Sequence, residues 1–344
     1  MSQQSAPAIP LPFQISRMVT SYWVPQALHV AAELGVADVL ADGPKQSADV
    51  ARAVGANPGA LHRLLRALTV LEVCTQTDDG AFALTPLGAC LRSDTPDSVR
   101  AWVMMVAGER VWASWGRLVD CVRTGDSVPK QNGVGAFDGI VADGEAGAVF
   151  NHSMVQLTRH LAPAVAAAYD FSGFRTIVDV GGGYGALLPP ILKANPELRG
   201  AVFDLPHCRD GALALFRKTG IADRCEFVAG SFFEDTPPPA DAYLVKSVIH
   251  DWDDERSIAL LRTVRKSAHE RSRLLVVEPI VPERMGSTPF HAMLASSDLN
   301  MMVVTGGRER TETEFRQVIE GAGFHVTRVV PTQATMSVIE ATPA

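Results

Sequence analysis

The stretch Thr176-Ile177-Val178-Asp179-Val180-Gly181-Gly182-Gly183-Tyr184-Gly185-Ala186 decides how the rest of the chain is read. An apolar, largely β-branched run carries one acid near its end and then breaks into a cluster of glycines. Leu187-Leu188-Pro189-Pro190-Ile191-Leu192 follows as the start of a helix. The pattern is strand, tight turn, helix. Glycines let the backbone pass close to a ligand and adopt dihedrals that side chains forbid. The helix start adds free N–H groups.

Two ligand classes fit this turn. The spacing Gly181-x-Gly183-x-x-Ala186 loosely satisfies the dinucleotide fingerprint. The spacing Asp179-x-Gly181-x-Gly183-x-Gly185 fits an S-adenosylmethionine (SAM) loop equally well. Asp204 closes the next β-like run, Gly200-Ala201-Val202-Phe203-Asp204, about 20 residues further on. A carboxylate there accepts both hydroxyls of a ribose, which either ligand carries, so it does not choose between them.

Downstream, β-like runs at Cys225–Ala229, Ala242–Ser247, Leu274–Pro279, His325–Val330 and Met336–Glu340 alternate with helical stretches at about 187–195, 208–219, 254–269 and 312–322. Such alternation predicts a parallel α/β sheet. The last two runs are joined too closely for a crossover, so they are expected to pair antiparallel at the sheet edge. In such folds the ligand crevice lies at the carboxyl ends of the strands. Those ends carry Gly181–Gly185, Asp204-Leu205, Ser231-Phe232, then Lys246 followed by His250-Asp251-Trp252, then Glu278. A helix-like apolar stretch leads on to Gly306-Gly307-Arg308-Glu309-Arg310-Thr311.

Upstream, residues 14–40 carry apolar residues at helical spacing, divided by Gly35, and Pro25 is expected to kink the first helix. Helices are predicted at 47–54 and 59–72, the latter with Leu61, Leu64, Leu65, Leu68 and Leu71 on one face. A hairpin is predicted around Asp78-Asp79-Gly80. This is a winged-helix pattern. His62, Arg63 and Arg66 make a poor phosphate-binding face. The surplus apolar surface of the first helix, with Met18 and Trp23, points to packing against a second copy. Between the two regions come a helix from Arg110 to about Arg123, a Gly-containing loop over 129–140, and a long helix over 145–169 with Pro163 inside it. Phe150 and Met154 on that helix read as core or pocket wall, and His152 as a solvated residue. The organisation expected is residues 1–108, 109–170 and 171–344.

The whole chain sets limits. Its 344 residues are 47% hydrophobic and 20% charged, as in a soluble globular protein. A net charge of −7 does not suggest a nucleic-acid partner. Five widely spaced cysteines without a Cys-x-x-Cys pair read as reduced core residues, neither a disulfide framework nor a zinc site. Met1–Pro12 lacks a basic-then-apolar leader pattern. No run of about 18 apolar residues occurs, so no membrane span and a cytoplasmic location are expected.

Asp-Val-Gly-Gly-Gly-x-Gly, Phe-Asp-Leu-Pro, Lys-x-x-x-His-Asp-Trp-x-Asp-Glu and Gly-Gly-x-Glu-Arg-Thr occur here in this order. Together they resemble the SAM-dependent O-methyltransferases of the caffeic-acid/hydroxyindole type, whose bacterial members tailor natural products. The resemblance covers nearly the whole chain and demotes the dinucleotide reading. It implies a Rossmann-like catalytic domain with a mostly parallel seven-stranded sheet, last strand antiparallel, behind a winged-helix dimerisation domain. It implies SAM as cofactor, S-adenosylhomocysteine as product, no metal, a homodimer, and a small aromatic acceptor methylated on a hydroxyl.

Residue by residue, the resemblance assigns His250 as the general base and Glu278 and Glu309 as its flanking acids. Gly181 and Lys246 would meet the methionine end of the cofactor and Asp204 the ribose, with Asp179 and Gly182 also binding the cofactor. Leu205, Ser231 and Phe232 would flank the adenine. Ser231 stands where the family usually has aspartate. Trp112, Phe150, Met154, Asn300 and Met301 would shape the acceptor pocket, with Trp115, His291, Asp298 and Met302 nearby. A histidine suits the base role because it titrates nearest neutral pH. A phenol, with a pKa near 10, needs its proton removed. Asp251 is expected to point away from His250, and Asp253, Asp254 and Glu255 to open the next helix, where acids favour the N-terminus. Trp252 is expected either near the adenine or anchoring its loop. The alternatives are N- or carboxyl-methylation, a SAM-binding relative with hydroxylating, decarboxylating or pericyclic chemistry, and a DNA-binding winged-helix regulator.

Overall fold

The computed structural model describes residues 9–344, so the Met1–Ala8 part of the opening stretch lies outside the described residues. The chain forms two compact units, divided after Trp112.

In the N-terminal unit the expected long first helix is two, Leu11–Thr20 and Trp23–Glu33. The break falls at Ser21-Tyr22, just before Pro25 would have had to sit inside a continuous helix. Gly35, at φ 69°, ends the second helix in a left-handed turn that only glycine adopts at no cost. Helices Ser47–Val54 and Pro58–Val70 follow. Asn57 caps the latter by accepting the Ala60 N–H at 3.0 Å. Strands β1 (Cys74–Gln76) and β2 (Phe82–Leu84) pair antiparallel, Cys74 opposite Leu84. Leu61, Leu65 and Leu68 meet Ala31, Leu40, Val50 and Phe82 in one buried cluster.

The second unit begins less regularly. The helix expected over 110–123 is divided into Glu109–Trp115 and Leu118–Thr124, and the loop expected over 129–140 contains two short helices, Val128–Gln131 and Asp138–Ala142. The long helix is Gly144–Ala168, capped by Asp143, with Pro163 inside it.

The sheet then builds from β3 (Thr176–Val180), β4 (Arg199–Asp204), β5 (Cys225–Ala229), β6 (Ala242–Lys246), β7 (Arg273–Glu278), β8 (Phe324–Pro331) and β9 (Ser337–Pro343). Their order is β5-β4-β3-β6-β7-β9-β8. All neighbours pair parallel except β9, which runs antiparallel to both β7 and β8. Side chains alternate between faces. Ile177, Val202, Leu244 and Leu275 join Ala162, Val165, Leu188 and Ile191 on one face. Val178, Val180, Phe203, Tyr243 and Val245 join Leu260, Val264, Phe315 and Ile319 on the other. Both faces are covered, which is why these strands read as continuous apolar runs.

The chain winds outward from β3 through β4 to β5, then returns to start β6 on the other side of β3. This reversal opens a crevice at the carboxyl ends of β3 and β6. Gly181–Gly185 and the Lys246–His250 turn lie there. Among the described residues no helix is long and apolar enough to cross a membrane.

Candidate active site

The loop after β3 has the geometry its glycines permit. Gly181, Gly183 and Gly185 have φ of 69°, 58° and 77°. A Cβ on Gly181 would lie 2.8 Å from Val248 Cγ2, and one on Gly185 would lie 2.7 Å from Val202 Cγ2. Asp204 at the end of β4 is pinned by two backbone donors. Its Oδ2 accepts the Gly183 N–H at 2.7 Å and its Oδ1 the Leu205 N–H at 2.6 Å. The carboxylate is thereby fixed beside the glycine turn with lone pairs to spare. Burial raises its pKa, and these two N–H groups pull it back. Asp179, also buried, is pushed up to about 7 by burial, with Lys246 opposing and Asp204 adding.

Beyond β5, Ser231 accepts the Phe233 N–H on its hydroxyl at 3.3 Å, and its own N–H is held by Asp235 at 3.0 Å. Its hydroxyl is partly spent on the turn. Phe232 lies against the glycine loop, with a ring atom 3.4 Å from where a Gly181 Cβ would stand. Trp252 sits among aromatic rings, edge-on to Phe233 at 4.8 Å between centroids and 5.6 Å from Phe137. The Arg256 guanidinium lies 4.5 Å over its ring. Its indole nitrogen is buried without a hydrogen-bond partner. The loop is thus anchored by the Trp252 ring while one N–H remains unpaired.

At the end of β6 the backbone takes an unusual turn. Ser247 has φ 51°, a left-handed conformation uncommon for a residue with a side chain. A 3₁₀ turn, Ile249–Asp251, follows. The turn presents His250 to three acids from three segments. Nδ1 lies 3.2 Å from Glu309 Oε1 and 3.8 Å from Glu278 Oε2, and Nε2 lies 3.9 Å from Asp251 Oδ1. The expectation that Asp251 points away is therefore corrected. The tight turn brings the two neighbours to face each other. Burial disfavours the charged imidazole, but the charges of Glu278, Asp251 and Glu309 outweigh it and push its pKa up to about 10. Asp251 is pushed up to about 7, by burial against the pull of His250. Burial also lowers Lys246, while Glu278, Asp179 and Asp251 oppose that shift.

A second loop clamps this turn. The Arg308 N–H donates to the His250 carbonyl at 2.9 Å. Gly307 makes that approach possible, because a Cβ there would run into the backbone of His250 and Asp251. Arg310, fully buried, donates to the carbonyls of Ile249 at 2.9 Å and Trp252 at 2.8 Å, and pairs with Asp254. Arg308 also pairs with Asp254, which leaves Glu309 to the histidine. Asp253 caps the helix Asp254–Ser267, as its position suggests. The helix Pro289–Val304 supports Glu309 from behind. The Ser297 hydroxyl donates to Glu309 Oε1 at 2.6 Å, and Asp298 accepts the Glu309 N–H at 2.9 Å.

The residues expected to hold the acceptor are spread more widely. Phe150 lies 6.0 Å from Phe137, which also reaches Trp252. Phe137 was not singled out from the sequence. A lone aromatic in a glycine-flanked loop has no periodicity to betray it. Met154 is half-buried and Met301 nearly buried, its carbonyl taken by Thr305 and Gly306. Asn300 accepts the Trp115 indole N–H at 2.9 Å. Trp115 and Met302 pack in a small cluster with Cys121, Val128 and Val303. Asp298 serves Glu309, and His291 accepts the Gly286 N–H at 2.6 Å. Trp112 belongs to the N-terminal unit, its ring 5.7 Å from that of Tyr22. His152 is exposed, as expected, with its ring edge-on to Tyr184.

Residues 115–325 match the O-methyltransferase domain family and residues 16–94 the O-methyltransferase dimerisation domain family. The chain belongs to the O-methyltransferase family. It is 42% identical over 339 residues to a phenazine O-methyltransferase, PhzM, of Lysobacter antibioticus, with 98% of each chain covered. Among solved structures, LaPhzM superposes with a TM-score of 0.93 at 41% identity, covering 98% of this chain and all of that one. NcsB1, an O-methyltransferase from neocarzinostatin biosynthesis solved with SAM and 2-hydroxy-5-methyl naphthoic acid, superposes with a TM-score of 0.80 at 32% identity, covering 98% and 100%. The protein is a SAM-dependent methyltransferase of this family, and its fold is the one the resemblance implied. The crevice fits the cofactor on its own terms: side-chain-free backbone at Gly181–Gly183 and a fixed carboxylate at Asp204.

Proposed function

We propose that the protein transfers a methyl group from SAM to a hydroxyl, most simply a phenolic one, of a small aromatic natural product, with His250 as the general base. The bound cofactor supplies an electrophilic methyl carbon. Asp204 holds the ribose hydroxyls, and Gly181, Gly182 and Asp179 with Lys246 receive the methionine end. Leu205, Ser231 and Phe232 flank the adenine. Phe150, Met154 and Met301, with Phe137, wall the acceptor against water, while Asn300 contributes to its outer part. The catalytic part is residues 171–344, preceded by connecting helices over 109–170 and a dimerisation domain over 1–108. The assembly is a homodimer.

One observation carries the reading: His250 Nδ1 is engaged by Glu309 at 3.2 Å. A carboxylate on Nδ1 orients the ring, leaves Nε2 to accept a proton, and stabilises the imidazolium that forms. Nε2 would take the proton of the acceptor hydroxyl, and the bound cofactor would supply the methyl group, its S–CH3 bond breaking to leave S-adenosylhomocysteine. Ser297 and Asp298 keep Glu309 in place, and Arg310 with Gly307 keeps the His250 turn in place. The relatives support an aromatic acceptor, since one acts on phenazines and another was solved with a naphthoic acid.

The test is mass spectrometry of SAM incubations with a panel of phenols, aromatic acids and amines, using the native protein and His250→Ala. Loss of methylation by roughly 10²–10⁴-fold in the variant, with SAM binding retained, is expected for a general base. A product equally fast without His250 would show that the acceptor arrives ionised, or is an amine. A second reading has its own support. An imidazole pushed up to about 10 is charged at neutral pH, which would suit an acceptor that needs no base.

A further inference from the structure

Two carboxylates converge on one imidazole nitrogen here, and they are not equivalent. Glu309 Oε1 receives two donors, the Ser297 hydroxyl at 2.6 Å and His250 Nδ1 at 3.2 Å. Glu278 is fully buried at the end of β7, and its Oε1 receives one donor, the Val248 N–H at 3.1 Å. Its Oε2 is buried without a hydrogen-bond partner, 3.8 Å from the same Nδ1. A ring nitrogen of His250 and one carboxylate oxygen each of Glu278 and Glu309 all lie within 4.8 Å of one another.

Nδ1 carries one hydrogen and can serve one acceptor well. Glu309 has that hydrogen and a second donor besides. Each carboxylate leaves its Oε2 buried without a hydrogen-bond partner, but Glu278 has the Val248 N–H alone, and an anion buried with a single donor beside another anion is costly. A neutral carboxyl with an unpaired O–H costs far less. We propose that Glu278 is a neutral carboxylic acid in the resting enzyme, and that by holding this proton it leaves His250 unprotonated and able to act as a base. The proposal rests on the reading of His250 as general base and deepens it. Glu278 is thus a positioning residue acting through His250, and it keeps its O–H bond throughout turnover. The proton taken from the acceptor forms the Nε2–H bond, its charge is balanced by Glu309, and it leaves to solvent.

Every charged group facing Glu278 is consistent with this. His250 and Asp251 face it from the 3₁₀ turn, Lys246 from β6 and Glu309 from the clamping loop. Burial lowers the pKa of Lys246, and the charge it carries is shared with Asp179 and Asp251. Burial, reinforced by Glu309, raises Glu278 above the usual carboxylate range, while Glu309 lies below it. Carboxyls whose surroundings push their pKa values apart are the ones with divided acid and base roles. The arrangement also removes a difficulty, because with Glu278 neutral the largest charge holding the proton on His250 is gone.

Infrared difference spectroscopy of the native protein against Glu278→Gln, near pH 7 and without acceptor, reads the proton directly. A protonated-carboxyl C=O stretch present in the native protein and missing in the variant is expected. It reports whether or not any acceptor has been found, so failure of the methylation assay and failure of this proposal are separate events. Where turnover is measured, the amide mimics the neutral acid. Glu278→Gln should keep the acidic limb of kcat/KM within about 0.3 pH unit of the native profile, whereas Glu309→Gln should lose at least 10²-fold in kcat, roughly the range of acid–base contributions. Glu278→Met, also neutral and of similar volume, provides the same missing band should the amide fail to fold. No difference band would overturn the proposal. So would an acidic limb moved down by a unit or more in Glu278→Gln, which would show that a charge had been removed from beside His250. Failure of both neutral variants to fold would overturn it equally.

Discussion

Ser297 sits where a helix passes behind the Glu309 carboxylate, and its hydroxyl is the shortest contact that carboxylate makes with another side chain. Ser297→Ala deletes a hydrogen bond to a charged group, an effect of about 1.5–3 kcal/mol where the group is buried. Glu309 would then be held by His250 and by its own backbone bond to Asp298. A fall in kcat of about 10- to 100-fold is expected, with KM for SAM unchanged, since no cofactor-contacting residue is touched. Steady-state kinetics on any acceptor found would show it, and a rise in KM alone would assign Ser297 to binding. Asp179 gives a prediction about stability. Its folded pKa of about 7 stands above its ordinary value of 3.8, so the folded protein keeps a proton that the unfolded chain releases on going from about pH 4 to 7. Stability therefore falls as pH rises through this window, by an amount on the order of 4 kcal/mol. Asp251 adds to the same slope. The ligand-free protein should melt higher near pH 6 than near pH 8, and Asp179→Asn should flatten that dependence and raise Tm at pH 8. A melting temperature rising with pH in both proteins would refute the account.

At the scale of elements, the site depends on two loops being locked backbone to backbone. Gly307 permits the lock because it has no side chain to meet the His250 carbonyl, and the atoms in the way are main chain, which cannot rotate aside. Gly307→Ala is expected to cost 1–3 kcal/mol of stability, the usual range for overpacking, and to abolish methyl transfer by displacing His250. Urea denaturation and turnover together check this, and wild-type activity in the variant would contradict it. Arg310→Ala removes the donor to Ile249 and Trp252 and leaves their carbonyls buried, so a larger loss of about 3–5 kcal/mol is expected. Much of this level was legible in the sequence. Strands β3, β6 and β7 stood out because both faces are covered, and the glycine turn and Asp204 because backbone conformation and strand-end position dictate residue type. His250 and Glu278 fall together as their strand-end places suggest, and Glu309 joins them from the loop after the helix Pro289–Val304. What was hidden depends on tertiary contact. Ser297 is one small polar residue on an apolar helix, Phe137 one aromatic in a loop, and the facing of Asp251 toward His250 follows from a 3₁₀ turn that no periodicity announces. Trp115 and Met302, read as pocket residues by type, are packed in a small core cluster because aromatic and methionine side chains serve either role.

At the scale of the molecule, the N-terminal helix is the feature that a single chain leaves unexplained. Leu11–Thr20 has no buried residue, although Leu11, Phe13, Ile15, Met18 and Val19 make it strongly amphipathic. Leu11 is 75% exposed, Phe13 65% and Met18 67%, and Trp23 follows at 61% on the next helix. Contiguous apolar surface of this kind on a monomer marks an interface. The matched dimerisation family begins at residue 16, within this helix. A symmetric pair would use the same patch on both chains, so one substitution is felt twice. Sedimentation should therefore give a dimer for the native chain. Phe13→Asp with Met18→Asp should shift it toward monomer at micromolar concentration, because four unpaired carboxylates would have to be buried per dimer. The double variant should retain the SAM affinity of the native chain, since Gly181, Asp204 and Lys246 all belong to the second unit. A native monomer with full activity would remove the dimer from the account. A variant that stays dimeric would place the interface elsewhere on the N-terminal unit.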